Sequence, residues 1–183
     1  MGLRLERIVS PHQSQLDELY VVCCKAPKYW HLTEGKLMPG REAVFAWFDG
    51  SELPPGRNPL DQHIYGVREG DELIGVAMVL RGWRYPEQAM IGLLLLAESR
   101  QGLGIGREVY AQLEDIVREW PGIVSIRIGI IASNAPAFPF WRKMGFAETG
   151  ERKRDLSFMA DTIILEKSLT VRASAGTGLS AQL

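Results

Sequence analysis

The chain has 183 residues, enough for one domain with a sizeable hydrophobic core. It is 46% hydrophobic and 23% charged, and its 21 Lys and Arg against 22 Asp and Glu give a formal net charge of −1 at pH 7. This balance lacks the basic excess typical of a nucleic-acid-binding protein, so we expect no nucleic-acid partner.

Signals for a membrane or an oxidising compartment are not found in the sequence. The first residues lack the apolar segment of a signal peptide, and no apolar run approaches the roughly 18 residues of a membrane span. Cys23 and Cys24 are adjacent, which rarely permits disulfide geometry between them. We therefore expect a cytoplasmic protein with no membrane partner, and we predict no metal site.

In the first half of the chain, apolar spacing predicts a strand at about 3–9 and a helix from Gln13 to Cys24, which Pro27 ends. A loop carrying Tyr29, Trp30 and His31 is expected next. The remaining elements predicted in this half are a short helix at about 42–48, a connector at 49–59, and strands at 63–68 and 72–80 joined by a tight turn.

In the second half, strands alternate with helices. Residues 89–97 are apolar on both faces, which predicts a central strand covered on both sides. The elements expected after it are an amphipathic helix at 104–119, a strand at 123–131, a short helix at 135–144 and strands at 147–153 and 161–168. This order predicts an α/β or α+β class with one mixed sheet. Residues 1–169 would form a single domain, and 170–183 a flexible tail.

The segment between the predicted central strand and the next helix carries the clearest chemistry. Gly102, Gly104 and Gly106 stand at alternate positions there. Glycine permits tight turns and close approach of backbone N–H groups to a ligand, and a helix N-terminus adds unpaired donors and partial positive charge. We predict a phosphate or pyrophosphate site at 101–107. A glycine-rich turn that serves packing alone is the alternative.

Two common phosphate-binding motifs do not fit this segment. A P-loop requires Lys and then Ser or Thr at the start of the helix, whereas Arg107 and Glu108 follow Gly106. Arg107 also occupies the position of the last glycine of the dinucleotide-binding pattern.

Residues Gln101–Gly106 match the pattern Gln/Arg-x-x-Gly-x-Gly/Ala and so resemble the signature of the GNAT (N-acetyltransferase) superfamily. A later segment, from Asn134 through Phe140-Trp141 to Gly145-Phe146, resembles the second motif of that family. The resemblance covers about residues 64–168. It implies a GNAT-like fold, with a single mixed, mostly antiparallel sheet of about six to seven strands flanked by about four helices.

The resemblance also implies how acetyl-CoA, the family's cofactor, would bind. Strands 89–97 and 123–131 would splay apart to admit the pantetheine arm, which would pair with backbone groups of about 94–97. The backbone N–H of Leu96 would polarise the thioester carbonyl. The residues implied to contact the cofactor are Leu94, Leu95, Leu96, Ala97, Gln101, Gly102, Leu103, Gly104, Ile105, Gly106, Arg107, Asn134, Phe140 and Trp141.

The implied activity is acetyl-CoA-dependent N-acetylation of a primary amine on a small molecule or peptide, by a monomer or homodimer. Trp141 stands where many family members have a tyrosine that protonates the departing thiolate, and an indole N–H is no practical acid. Ser133, Tyr110 or a water molecule are candidates for that role. A non-catalytic acetyl-CoA-binding regulatory module is the alternative function.

A general base and an acceptor pocket complete the expectations. Glu98, at the end of the central strand, is the first candidate for the base, and Glu87 and His63 are alternatives. In this family the acceptor pocket usually forms from the first helices and the connector before the central strand. The residues predicted to bind the acceptor are accordingly Tyr29, Trp30, Trp83, Arg84 and Tyr85.

Overall fold

A computed structural model describes residues 2–51 and 53–169, so the tail predicted at 170–183 lies outside the described residues. In this part of the chain, seven strands form one sheet and five α-helices flank it. The strands are β1 Leu3–Ile8, β2 Gln62–Glu69, β3 Glu72–Arg81, β4 Gln88–Leu96, β5 Ser125–Ile131, β6 Ala147–Lys153 and β7 Thr162–Ser168. The helices are α1 Gln13–Cys24, α2 Pro27–Glu34, α3 Arg41–Ala46, α4 Ile105–Arg118 and α5 Ala137–Lys143.

The sheet has the order β1-β2-β3-β4-β5-β7-β6. Every neighbouring pair is antiparallel except β4 and β5, which are parallel. Parallel neighbours require a crossover connection, and α4 provides it here. The predicted single mixed, mostly antiparallel sheet is confirmed.

Hydrophobic residues cover both faces of the sheet. On one face, Leu113 of α4 is fully buried in a cluster with Ile128 of β5. On the other face, Leu19 of α1 and Trp30 of α2 pack in a second cluster with Leu93 of β4. The central strands are therefore buried between two helical layers, as the apolar run at 89–97 predicted.

The loop expected after Pro27 is a helix, and that prediction is wrong. Pro27 is the first residue of α2. At this position a backbone N–H would have no acceptor within the helix, so proline loses no hydrogen bond, and its fixed φ suits the helix. Gly35, in the left-handed conformation at φ 71°, ends α2 one turn after Trp30 and His31. The proline marks a boundary between two helices.

A β-bulge at Gly92 interrupts β4 in its middle. Met78 pairs with Leu93 and Val79 with Ile91, so Gly92 has no partner on β3. The bulge reverses the alternation of side chains, since Ile91 packs with the α4 face and Leu93 with the α1 face. Pairing between β4 and β5 covers only residues 88–91 and 125–128. Beyond this point the two strands diverge.

Candidate active site

A cleft of about 610 Å³ opens where β4 and β5 diverge. Its walls are the free halves of the two strands, the glycine-rich turn before α4, one face of α2 and the inner side of α5. This volume is typical of small-molecule sites. Gly92 and Gly129, one on each strand, line the cleft and are exposed there, although they lie in the middle of the sheet.

The glycine-rich turn contains two residues in the left-handed conformation. Gly102 and Gly104 both have positive φ, 75° and 84°, a region that residues with a Cβ rarely adopt. A Cβ added to either would meet no atom within 4 Å, so open space lies beside the backbone. The side chain of Leu103 between them points away, 66% exposed.

The N-terminus of α4 presents backbone donors to this space. The first hydrogen bonds of the helix run from the amides of Arg107 and Glu108 to the carbonyl oxygen of Gly104, at 3.0 and 3.3 Å. The N–H groups of Ile105 and Gly106 therefore precede the helical hydrogen-bond ladder. Together with the helix dipole, these donors have the chemistry that suits an anion.

Backbone groups of β4 also face the cleft. Successive residues of a strand direct their N–H groups to opposite sides, and the N–H of Ala97 donates to Ile74 of β3 at 2.9 Å. The N–H groups of Leu94 and Leu96 consequently point toward β5, which has diverged by this point. Gln101 Nε2 donates to the carbonyl oxygen of Leu96 at 2.8 Å and ties the glycine-rich turn to the strand.

Two cations line the cleft. Arg107, on the first turn of α4, and Lys143, at the end of α5, both line the cleft. Within the described residues, no carboxylate forms an ion pair with either of them. They therefore add positive charge to the cleft. The sequence analysis did not identify Lys143, although it lies within the second motif.

Trp141 belongs both to the cleft wall and to the core. Its side chain is 9% exposed, and its ring meets those of Phe140, Phe146 and Tyr110 edge-on at 5.0, 5.2 and 5.7 Å. Such edge-to-face contacts fix an aromatic ring in one orientation. Trp141 therefore forms a rigid apolar wall of the cleft.

The two side chains proposed to replace the missing tyrosine acid are engaged elsewhere. The hydroxyl of Tyr110 accepts a hydrogen bond from Lys167 Nζ at 3.1 Å, and burial raises the pKa of Tyr110. Tyr110 lines a neighbouring cavity instead of the cleft. Ser133 Oγ donates to the carbonyl oxygen of Leu32.

The candidate bases lie outside the lining of the cleft. Glu98 Oε1 accepts a hydrogen bond from the backbone N–H of Lys28 at 2.6 Å, at the start of α2. His63 lies on β2 with its ring 4.7 Å from that of Trp120, and burial lowers its pKa to about 4. Glu87 lies in the hairpin before β4, where its carbonyl oxygen accepts from the amide of residue 124.

Of the residues predicted to bind the acceptor, the structure brings Tyr29 into the cleft. Burial raises the pKa of its hydroxyl, so Tyr29 is neutral at ordinary pH. Trp30 points into the core, where its Nε1 donates to the carbonyl oxygen of Cys23 at 2.8 Å. Trp30 is thus an anchor for α2.

Trp83, Arg84 and Tyr85 precede β4, at the end of the strand opposite to the cleft. Gln88, the first residue of β4, lies eight residues before Leu96, about 26 Å along an extended strand. Arg84 Nη1 pairs with Glu151 of β6 at 3.1 Å. These three residues are therefore not part of the cleft.

Most of the residues implied to contact the cofactor do line the cleft, whereas Ala97, Leu103 and Ile105 do not. Those that line it are Leu94, Leu95, Leu96, Gln101, Gly102, Gly104, Gly106, Arg107, Asn134, Phe140 and Trp141. On the opposite wall, Lys28, Leu32 and Thr33 were missed. Their spacing with Tyr29 is helical, but the segment was taken for a loop.

Residues 2–51 and 53–169 contain no group of three or more His, Cys, Asp or Glu side chains arranged to hold a metal ion. In the same residues, no helix combines the length and apolar character needed to cross a membrane.

The sequence of residues 26–146 matches the acetyltransferase (GNAT) family. The chain belongs to this family. A search of curated proteins gave no match.

Solved structures of the same fold cover nearly the whole chain. An acetyltransferase from Thermus thermophilus superposes with a TM-score of 0.71 at 22% identity, over 92% of this chain and 98% of that one. A PaiA N-acetyltransferase from Thermoplasma acidophilum, in complex with coenzyme A, has a TM-score of 0.62 at 19% identity, with 92% and 100% covered. The ribosomal-protein-S18-alanine N-acetyltransferase of Escherichia coli has a TM-score of 0.65 at 14% identity, with 97% and 99% covered. At these identities the likeness establishes the fold.

Proposed function

We propose that the chain is an acetyl-CoA-dependent N-acetyltransferase that acetylates a primary amine of a small molecule or peptide by direct attack on the thioester. One observation carries this proposal. In a member of the GNAT family, a cleft between two diverging strands ends at a turn whose left-handed glycines leave backbone N–H groups open to an anion.

The shape and charge of the cleft fit coenzyme A. The N–H groups at 102–106 would hold the pyrophosphate, with Arg107 and Lys143 as counter-charges. The amides of the pantetheine arm would pair with the free backbone groups of Leu94, as an added strand pairs with a sheet edge. Acetyl-CoA would bring an activated acetyl group into the cleft.

The residues around the reacting carbon would orient the thioester and exclude water. The backbone N–H of Leu96 would donate to the carbonyl oxygen as negative charge develops on it. Phe140 and Trp141 form an apolar wall on the α5 side. This apolar wall would exclude water, so that little water would compete for the oxyanion and the hydrogen bond from Leu96 would be stronger.

The attacking amine has to lose a proton. An alkyl amine like that of lysine has a pKa of about 10, so only about one molecule in a thousand is neutral at pH 7. Without a dedicated base, the rate would rise about tenfold per pH unit up to the pKa of the amine. With a dedicated base, the rate would level off above the pKa of that base. The pH–rate profile distinguishes these two routes.

The departing thiolate resembles that of cysteine, with a pKa of about 8.5, so it leaves without strong assistance. Tyr110 and Ser133 are hydrogen-bonded to other groups, and Trp141 cannot act as an acid. We propose that water protonates the thiolate at the mouth of the cleft.

The same cleft supports a second candidate function, that of a non-catalytic acetyl-CoA-binding regulatory module. Trp141 stands where many relatives have a tyrosine, and it is part of a rigid aromatic cluster. Such a protein would bind acetyl-CoA tightly without transferring the acetyl group.

Two measurements test both candidates. Isothermal titration with acetyl-CoA should give saturable binding. Free-thiol release should then be followed with a panel of four amines of different classes, namely alanyl-glycyl-glycine, L-lysine, spermidine and glucosamine. Thiol release above the hydrolysis rate with any amine supports the transferase. Binding without transfer to any of the four supports the module, and no binding of acetyl-CoA contradicts both.

A further inference from the structure

Helix α2 lies across the gap between the diverging ends of β4 and β5. At its first turn, the N–H of Lys28 donates to Glu98 Oε1 at 2.6 Å, and Glu98 follows β4 by two residues. One turn later, the carbonyl oxygen of Leu32 accepts from Ser133 Oγ, and Ser133 follows β5 by two residues. Each diverging strand thus holds one end of the helix through one side-chain hydrogen bond.

Two further contacts fix which face of α2 looks into the cleft. Trp30 inserts into the core and donates to the carbonyl oxygen of Cys23. The carbonyl oxygen of Thr33 accepts from the N–H of Met159, in the loop between β6 and β7, at 2.8 Å. With Trp30 turned inward, the cleft-facing residues follow helical spacing. They are Lys28, Tyr29, Leu32 and Thr33.

Glu98 connects this helix with the anion site. Its N–H donates to the carbonyl oxygen of Lys25, just before α2, at 2.9 Å. Its own carbonyl oxygen accepts from the N–H of Gln101, the first residue of the glycine-rich turn, at 3.1 Å. A carboxylate at a helix N-terminus also interacts favourably with the helix dipole. Glu98 is therefore joined to both walls of the cleft.

We propose that Glu98 and Ser133 are positioning residues that hold α2 over the open ends of β4 and β5 and so set the wall that the acceptor amine contacts. Glu98 acts here as a hydrogen-bond acceptor, and it removes no proton from the amine. The kinetic part of this inference rests on the proposed transferase activity. The structural part, that Glu98 holds α2 in place, does not rest on that activity.

The two roles of Glu98 respond differently to one conservative change. The side-chain oxygen of glutamine can accept the hydrogen bond from the N–H of Lys28, but glutamine cannot take up a proton near neutral pH. Alanine can do neither. A positioning role predicts that Glu98→Gln resembles the native protein and Glu98→Ala does not. A general base predicts that both variants lose activity.

The test compares Glu98→Gln, Glu98→Ala and Ser133→Ala with Glu42→Ala, which removes an exposed carboxylate from the first turn of α3. Amide hydrogen exchange is measured over 27–34, and coenzyme A affinity is measured by titration. We expect exchange in 27–34 to rise about tenfold in Glu98→Ala and Ser133→Ala, the effect of losing one hydrogen bond. Exchange should be unchanged in Glu98→Gln and in the control. In all four variants, the affinity for coenzyme A should stay within about twofold of the native value.

Kinetics are measured with whichever of the four panel amines reacts fastest. We expect the KM for this amine to rise several-fold in Glu98→Ala, with kcat less affected, because a displaced α2 weakens contact with the acceptor. Glu98→Gln should keep the native pH–rate profile. Native-like exchange over 27–34 in Glu98→Ala, or a lost or flattened pH–rate profile in Glu98→Gln, would overturn the inference. If the native protein bound no acetyl-CoA, the proposed function would fail, while the exchange measurements would still decide whether Glu98 holds α2.

Discussion

Gly104 tests the anion site most directly, because its conformation and its surroundings both favour a bound anion. Gly104→Asp would place a carboxylate beside the N–H groups that should hold the pyrophosphate. We expect coenzyme A affinity to fall by at least about a hundredfold, through like-charge repulsion in a partly desolvated site. Isothermal titration measures this loss.

The chain offers a matched control at the other end of α4. Gly122 also has positive φ, 81°, and a Cβ added there meets no atom within 4 Å. Gly122→Asp therefore carries the same backbone strain, about 1–2 kcal/mol, without approaching the cleft. Equal affinities of the Gly104→Asp and Gly122→Asp variants for coenzyme A would show that the glycine-rich turn does not bind the pyrophosphate.

Trp141 separates packing from catalysis at a single position. Trp141→Tyr should lower the free energy of unfolding by about 1–3 kcal/mol, because the smaller ring leaves a gap among Tyr110, Phe140 and Phe146. Turnover should be equal to the native value or higher, since the new hydroxyl can protonate the thiolate. Denaturant unfolding and thiol release measure the two effects.

Trp141→Phe is the control for that experiment, since it leaves a similar gap without adding a hydroxyl. We expect it to be as destabilised as Trp141→Tyr and less active. Identical turnover in the two variants would show that proton donation at this position does not affect the rate.

The sequence revealed local requirements at single residues but not long-range contacts. Gly102 and Gly104 were predicted correctly as turn glycines because positive φ depends on the residue itself. The hydrogen bond of Glu98, by contrast, reaches Lys28, 70 positions away in the sequence. Tertiary packing alone creates that contact, and no spacing rule in one sequence describes it.

At the scale of strands, Gly75 allows β3 and β4 to pair beside the cleft. A Cβ added to Gly75 would lie 2.4 Å from the carbonyl oxygen of Leu95, so the backbone would have to move. We expect Gly75→Ala to destabilise the protein by about 1–3 kcal/mol, as overpacking does. Gly92→Ala is the control, because a Cβ there meets nothing within 4 Å. Equal unfolding midpoints for these two variants would contradict the close approach at Gly75.

The long periodic elements were predicted to within about two residues, whereas α2 and the bulge were not found. Helix α4 was expected at 104–119 and runs from Ile105 to Arg118, because its apolar residues repeat with helical period. The apolar pattern gave no sign of the bulge at Gly92, because β4 is apolar on both faces and a reversal of faces leaves its pattern unchanged. The isolated glycine within the strand was the signal that could have indicated it. Pro27 was taken as the end of a helix and not as the start of the next.

At the scale of the whole molecule, the two sides of the cleft come from different parts of the chain. The anion site and the aromatic wall lie within residues 101–143, where both motifs are found. The opposite wall is α2, held by residues that follow β4 and β5 and by the loop before β7. A contiguous motif could therefore indicate the proposed cofactor site. The wall proposed to contact the acceptor becomes visible only when the fold brings these segments together.

The stability of the molecule in acid should depend on Glu114, which joins α4 to β7. Burial alone would raise the pKa of Glu114, but hydrogen bonds from Lys167, Tyr110 and Arg118 outweigh it and lower the pKa to about 2. Because the pKa is about 4.5 in the unfolded chain, the unfolded state binds the proton first as the pH falls. The stabilisation is therefore complete above pH 4.5 and is lost progressively between pH 4.5 and 2.

We expect Glu114 to contribute about 1–3 kcal/mol to this loss. Glu114→Gln should be less stable at pH 7 and should show a correspondingly smaller decline from pH 4.5 to 2, measured by urea unfolding at each pH. Glu119→Gln, which changes an exposed carboxylate at the end of the same helix, should keep the native slope. If both variants declined as steeply as the native protein, the ion pairs between α4 and β7 would not control the acid stability of the fold.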